Sequence, residues 1–285
     1  MAGFGGKLGL IAGGGALPLE IVRACQIAER PVFVVRLKGM ADPALAEVDG
    51  QEAGIAELGK VIKAFKQAGC ASICFAGIVA RPDFSSMTPD LRGLAALPRM
   101  LAVAKSGDDA LLRAVAAEFE REGFIVEGAE QVVAGLAIAA GPLGAHRPSE
   151  ADQADIALAM RAARAIGRLD IGQAAVAAHG LVLAVEAQEG TDALLRRCAD
   201  LPPLLRGSTD ARAGVLAKAP KAVQDRRIDL PTIGPATVIA VARAGLAGIV
   251  GEAGALLVVE RARVIETADD LGLFIVGLAP EPATP

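Results

Sequence analysis

The opening pattern of the chain admits few folds. Lys7–Ala12 is a short apolar run that ends in three consecutive glycines, Gly13, Gly14 and Gly15. A helical pattern follows over Leu17–Glu29, with Leu17, Ile21 and Cys25 spaced four apart, and Pro31–Leu37 (PVFVVRL) is a β-branched run. Strand, glycine turn, helix, strand is a βαβ unit. The alternation continues. Glu57–Gln67 carries Leu58, Val61, Ile62 and Phe65 on one helical face and stops at Gly69, and Ser72–Gly77 (SICFAG) is a further buried strand. Crossovers of this kind predict an α/β fold whose parallel sheet has helices on both faces.

The glycine turn, IAGGGALP, is not the dinucleotide fingerprint. Its glycines are consecutive, Pro18 stands within the motif, and Arg36 and Lys38 stand where an acidic residue would end the second strand. Gly13 and Gly14 read either as a tight turn or as a phosphate contact at a helix N-terminus. Arg81, Pro82 and Asp83 follow the end of the 72–77 strand, where sites of α/β sheets collect. Gly107-Asp108-Asp109 opens a helix that runs to Gly123. Phe124–Glu127 reads as a strand and Glu130–Ala140 as a short helix.

Gly141–Asp152 (GPLGAHRPSEAD) breaks the pattern with glycines and prolines and reads as a linker. The expected division is an N-terminal domain over 1–140, a linker over 141–152 and a C-terminal domain over 153–285. In the second half a helix runs from Ser149 or Glu150 to Gly167. The apolar runs Ala174–Ala178 and Leu181–Ala187 are split by a hairpin-like His179-Gly180. Helices are expected over Thr191–Cys198 and Pro235–Leu246, and strands over Ala255–Val259 and Leu273–Leu278.

Composition narrows the function. Aromatics make up 3% of the 285 residues, with no Trp or Tyr, so stacking platforms for single-stranded nucleic acid are scarce. The net charge of -4 supplies no global field for DNA or RNA, so no nucleic-acid partner is expected. The four cysteines form no CxxC pair, which fits a reducing compartment. No signal-peptide order and no uncharged apolar span are read. The most apolar helix candidate, Ala236–Val250, carries Arg243. A cytoplasmic protein is expected.

The chemistry concentrates in VLAKAPKAVQDRRIDLPTIGP, Val215–Pro235, which starts as a buried strand and ends at a helix. Lys218, Lys221, Arg226 and Arg227 are mixed with Asp225 and Asp229, and three prolines stiffen the path. Such a loop suits a diphosphate, and equally reads as a solvated charged surface. Upstream, LVLAVEAQEGTDALLRR puts Glu186 and Glu189 at a strand end, with Thr191 as N-cap and Asp192 in the first turn. The helix dipole alone explains those acids. If the two strand ends are neighbours, Glu189, Asp192 and Asp225 face Lys218 and Lys221. Hard oxygen ligands of that kind suit Mg²⁺ bound with a substrate diphosphate.

The blocks LIAGGGALP, GDDALLRAV, LDIGQAAV, LAVEAQEGTDALLRR, LAKAPKAVQDRRIDLPTIGP, GLAGIVGEAG and LGLFIVG closely resemble the LpxI family. The resemblance covers nearly the whole chain, Leu10 to Gly277. It implies a Rossmann-like N-terminal domain plus a C-terminal α/β domain peculiar to the family, with substrate between them. The implied reaction is Mg²⁺-dependent hydrolysis of UDP-2,3-diacylglucosamine to UMP and 2,3-diacylglucosamine 1-phosphate (lipid X), a step of lipid A synthesis in some Gram-negative bacteria. Read together, residues and resemblance nominate Asp225, Lys218 and Lys221 as catalytic. Gly13, Gly14, Arg81, Asp83, Thr191, Gln224, Arg226 and Thr232 are nominated to bind substrate, and Glu189, Asp192 and Asp225 to bind metal. The expected partners are the UDP-diacylglucosamine lipid and, because its acyl chains reside in a bilayer, transient contact with the inner membrane surface; the oligomeric state is left open, a homodimer being one of the states the sequence allows. The rival readings are a nicotinamide-dependent oxidoreductase and a nucleotide- or lipid-binding protein without turnover.

Overall fold

The computed structural model describes residues 6–79, 88–104, 108–222 and 224–280. The chain forms two compact units. One comprises Met1–Ala134 with Asp225–Asp229, the other Gly135–Gln224 with Leu230–Pro285.

The first unit contains β1 (Lys7–Ala12), α1 (Leu17–Ile27), β2 (Val32–Leu37), β3 (Gly50–Ala53), α2 (Leu58–Gln67), β4 (Cys70–Ala76), α3 (Leu91–Ala104), α4 (Asp108–Arg121), β5 (Ile125–Glu127) and α5 (Ala129–Val132). The five strands lie in the order β3-β2-β1-β4-β5, all parallel. The order runs outward from β1 in one direction and then restarts at β4, so the topological switch point lies between β1 and β4.

A chain poor in aromatics places five of its phenylalanines together here. Phe33, Phe65, Phe75, Phe119 and Phe124 meet with ring centroids 5.7–6.3 Å apart, mostly edge to face. Gly9 makes room for them, since a Cβ there would stand 2.8 Å from the Phe65 ring.

Under the same sheet Arg30 reaches Glu127, 1% exposed, through Nη1 at 3.0 Å and Nη2 at 2.6 Å, and Nη2 also donates to Ser72 Oγ. Removing one partner of a buried pair strands the other charge. Glu127→Ala should therefore cost about 3–5 kcal/mol of unfolding free energy. Denaturant titration checks this, and a loss below about 1 kcal/mol, the scale of a surface pair, would contradict it.

The second unit contains β6 (Gly141–Leu143), α6 (Asp152–Arg168), β7 (Ala174–Ala178), β8 (Leu181–Val185), α7 (Gly190–Ala199), α8 (Pro203–Arg206), β9 (Val215–Lys218), β10 (Thr232–Ile233), α9 (Pro235–Arg243), β11 (Gly248–Glu252), β12 (Leu257–Val258), α10 (Arg261–Asp270) and β13 (Phe274–Leu278). Its main sheet runs β6-β13-β11-β9-β7-β8. β9, β11 and β13 are parallel, and the outer strands are antiparallel to their neighbours. The fully buried Ala-rich β7 lets α6 pack closely on one face, while α7, α9 and α10 contribute to the core on the other. His179 (φ 53) and Gly180 (φ 76) make the tight β7–β8 turn, as the hairpin reading required. Buried Asp155 of α6 accepts both turn amides, at 2.9 and 2.7 Å.

Several boundaries differ from the sequence reading. The helix expected over Glu130–Ala140 is a single turn, α5. Beyond Gly135 (φ 77) the chain is extended, with Ile138 donating to Leu256 O and buried in the second core. Gly141–Leu143, read as linker, is edge strand β6, and the two units divide at Ala134 instead. The helix after Pro235 stops at Arg243 because Gly245 turns left-handed (φ 74). The apolar residues beyond it are the buried strand β11. β3 and α3 had no counterpart in the sequence reading.

Candidate functional site

At the switch point of the first unit, Gly13 N–H donates to Ala76 O, Gly14 N–H to Ile78 O and Ile78 N–H to Gly14 O, each at 2.8 Å. A Cβ on Gly13 would stand 2.6 Å from Ile78 O. On Gly77 (φ 95) it would stand 2.5 Å from Gly14 O. The glycines are there so that two strand ends can close on one another, and the Gly13 and Gly14 amides are engaged by backbone. Arg81 and Asp83 lie outside the described residues, as do Gly107 and Val223.

The charged loop is divided between the units. Lys218, Lys221 and Gln224 belong to the second, Asp225–Asp229 to the first, and Thr232 to the second again. Asp225 is the hub of its segment. Oδ1 accepts from the Arg227 amide and Nε, both at 3.0 Å, and Oδ2 accepts from Nη2 at 2.6 Å. Its carbonyl accepts the amides of Ile228 and Asp229. Arg227 Nη1 continues to Glu120 of α4 at 2.7 Å, and Ile228 packs against the phenylalanine core. The Arg227 guanidinium holds the Asp225 carboxyl below the usual carboxylate range, against a smaller opposing effect of burial. Arg226 is exposed beside it.

In the second unit β9 delivers Lys218 to the carboxyl edge of the sheet. The residue is 5% exposed, and its Nζ donates to Thr232 O at 3.0 Å. The Thr232 hydroxyl donates to Leu230 O. Lys221 Nζ donates to Asp170 Oδ1 at 2.8 Å, and Gln224 Oε1 accepts the Lys221 amide. Glu252 ends β11 one residue beyond Gly251, the register partner of Lys218, and lies 3.5 Å from Arg164. Asp170, Glu252 and Arg164 were not found from sequence. Asp170 is 51 residues from Lys221. Glu252 was hidden because β11 was not read as a strand.

At the start of α7, Glu189 is the N-cap position and Arg197 pairs with its carboxylate at 2.5 Å. Backbone amides, and Arg197 with them, hold the Glu189 carboxyl below its usual range. Thr191 is not the cap. Helix α7 begins at Gly190, and the Thr191 hydroxyl instead donates at 2.6 Å to buried Glu186, whose other oxygen accepts the Gln173 amide. Asp192 is exposed in the first turn. Thr191→Val should remove a donor from a buried carboxylate and lower unfolding free energy by about 1.5–3 kcal/mol. An unchanged thermal midpoint would show that the hydroxyl is dispensable.

Among the described residues no group of three or more His, Cys, Asp or Glu side chains is placed to hold a metal ion. The nominated donors are Glu189 and Asp192 on the second unit and Asp225 on the first. One or two ionised carboxylates completed by substrate phosphate is a donor set that Mg²⁺ accepts.

Residues 7–136 match the family description "LpxI N-terminal domain" and residues 139–276 match "LpxI C-terminal domain". A relative from Caulobacter vibrioides, named UDP-2,3-diacylglucosamine pyrophosphatase LpxI, is 58% identical over 275 residues, which are 96% of this chain and 98% of that protein. The two matched spans meet close to where the two compact units divide.

Proposed function

Because the chain belongs to the LpxI family, we propose that it is a hydrolase that cleaves the diphosphate of UDP-2,3-diacylglucosamine, releasing UMP and 2,3-diacylglucosamine 1-phosphate on the route to lipid A. The observation that carries this reading is the identity with the Caulobacter vibrioides pyrophosphatase along nearly the full length of both chains.

Hydrolysis of a phosphoanhydride rests on charge neutralisation and the placing of water more than on covalent catalysis. Lys218 and Lys221 supply the positive charge. Lys218 is fixed by Thr232 and Lys221 by Asp170, so neither needs to be ordered when substrate binds. Asp225 orients the attacking water. Its carboxylate is held ionised by Arg227, and a carboxylate so far below neutral pH is a weak proton acceptor, which favours orientation over proton storage. Gln224, Arg226 and Thr232 complete the substrate contacts. Mg²⁺, taken by Glu189, Asp192 or Asp225 together with the diphosphate, would neutralise charge on the phosphate oxygens. The oxidoreductase alternative gains nothing from the glycine turn, whose Gly13 and Gly14 amides are engaged by backbone.

No helix among the described residues is long and apolar enough to cross a membrane. The substrate's acyl chains lie in a bilayer, so the protein works from the cytoplasmic side by reversible contact with the membrane surface. Incubating the purified protein with UDP-2,3-diacylglucosamine tests the reaction. UMP is the expected nucleotide, and UDP in its place would mean glycosidic cleavage and overturn the reading.

A further inference from the structure

Helix α3 presents apolar residues outward as well as toward the core. Its outward positions are Leu91, Leu94, Ala95, Pro98 and Ala102, spaced three or four apart along one stripe. Leu91 is 88% exposed and Leu94 is 55% exposed. The inner side of the helix carries the polar anchors. Asp90 accepts the amides of Lys60 and Gly93 at 2.7 Å, Arg92 pairs with Glu122 and Glu118 of α4, and Ala96 and Met100 pack toward the phenylalanine core. The helix is thus held to the first unit from one side and presents an apolar stripe from the other. On the carboxyl edge of the same sheet, Ile78 (75%) and Val79 (43%) are also exposed. Apolar residues scattered singly on a surface need no explanation; here five of them fall on one line along one helix.

We infer that the outer stripe of α3 is a shallow membrane contact, through which the protein reaches its lipid. The inference rests on the proposed substrate, whose acyl chains are bilayer residents. None of these five positions carries a charged or polar side chain, so seating them at headgroup depth desolvates no charge of their own. Its size argues against a second copy as the occupant. Eleven residues of rise make about 17 Å, and a helix width of about 10 Å gives an area of about 170 Å². A stable protein interface takes about 800 Å² per partner and carries hydrogen bonds, which this stripe cannot offer.

The test compares the full-length protein with Leu91→Glu/Leu94→Glu, two exposed positions whose replacement leaves the core untouched. Both are sedimented with vesicles of phosphatidylethanolamine and phosphatidylglycerol without substrate, and both are assayed on detergent-dispersed and on vesicle-embedded UDP-2,3-diacylglucosamine. The expected result is a partition onto vesicles reduced about tenfold or more, a similar fall in turnover of vesicle-embedded substrate, and unchanged turnover in detergent. Equal sedimentation of the two proteins overturns the inference. So does a loss of turnover in detergent, which would place the stripe in the acyl-chain site. A wild-type dimer that the variant converts to monomer would give the stripe to a second copy instead. If the wild type sediments and the variant does not, but neither releases UMP, the membrane contact stands and the proposed reaction falls.

Discussion

Asp225→Ala is expected to give a folded protein that turns over about 10²–10⁴-fold more slowly, the usual scale for a group that orients or activates water, while still retaining its substrate. The geometry gives Asp225 a competing structural role, because both its oxygens are taken by Arg227 and its carbonyl closes the following turn. The two roles separate through Arg227. If Asp225 only orders the loop, Arg227→Met should be as damaging as Asp225→Ala, and both should raise KM along with lowering kcat. If Asp225 acts on the reacting water, Asp225→Ala should lose kcat with ground-state binding intact or tighter, because a negative charge beside a diphosphate has been removed. Arg227→Met should then keep much of its rate. The pH profile gives a second readout. A carboxyl held below the ordinary carboxylate range by the Arg227 guanidinium stays ionised through the whole mildly acidic range. Activity that depends on it should therefore show no acid limb from this group between about pH 5 and 8. Without Arg227 the carboxyl should rise toward the ordinary range of about 3.9 and the limb should move up with it. The loop-ordering pair follows the same sign: its stabilisation is present above the ordinary carboxylate pKa and is lost as pH falls through the depressed value.

Excess EDTA should take turnover to background, and added Mg²⁺ or Mn²⁺ should restore it. Mg²⁺ is usually held by one or two carboxylates together with substrate phosphates, so the ion should enter with the substrate diphosphate and not as a resident structural metal. The chelator should accordingly stop the reaction without lowering the thermal midpoint of the free protein. Undiminished turnover in excess chelator would remove the metal from the mechanism. A lowered midpoint would show a resident ion.

In the first unit β1, α1, β2, α2 and β4 were legible because they carry their own signals: β-branched runs, a helical stripe at Leu58, Val61, Ile62 and Phe65, and glycines at the turns; β3 and α3 of the same unit were not read. The hairpin at His179-Gly180 was legible for the same local reason. β11 was not. A run buried on both faces has no alternation, and here it follows an apolar helix with only a short glycine-bearing break. Composition and resemblance nominated Lys218, Lys221 and Asp225, but the groups their side chains meet are set by tertiary contact. Asp170 meets Lys221 across 51 residues and Arg30 meets Glu127 across 97, with no periodicity to announce either. Nor could the sequence reveal that one continuous loop contributes Lys221 to one unit and Asp225 to the other. The glycine turn was read with two meanings, and the close approach of β1 and β4 accounts for it without a ligand.

In a hydrolase of this kind water is the acceptor of the cleaved phosphoryl group. The most direct measurement is turnover of UDP-2,3-diacylglucosamine in ¹⁸O-water, with mass analysis of both products. UMP and 2,3-diacylglucosamine 1-phosphate should form in equal amounts, with one ¹⁸O atom found in one of the two and none in recovered substrate. Products without ¹⁸O, or UMP formed without its lipid phosphate partner, would mean transfer to another acceptor and contradict the assignment of this chain as a hydrolase.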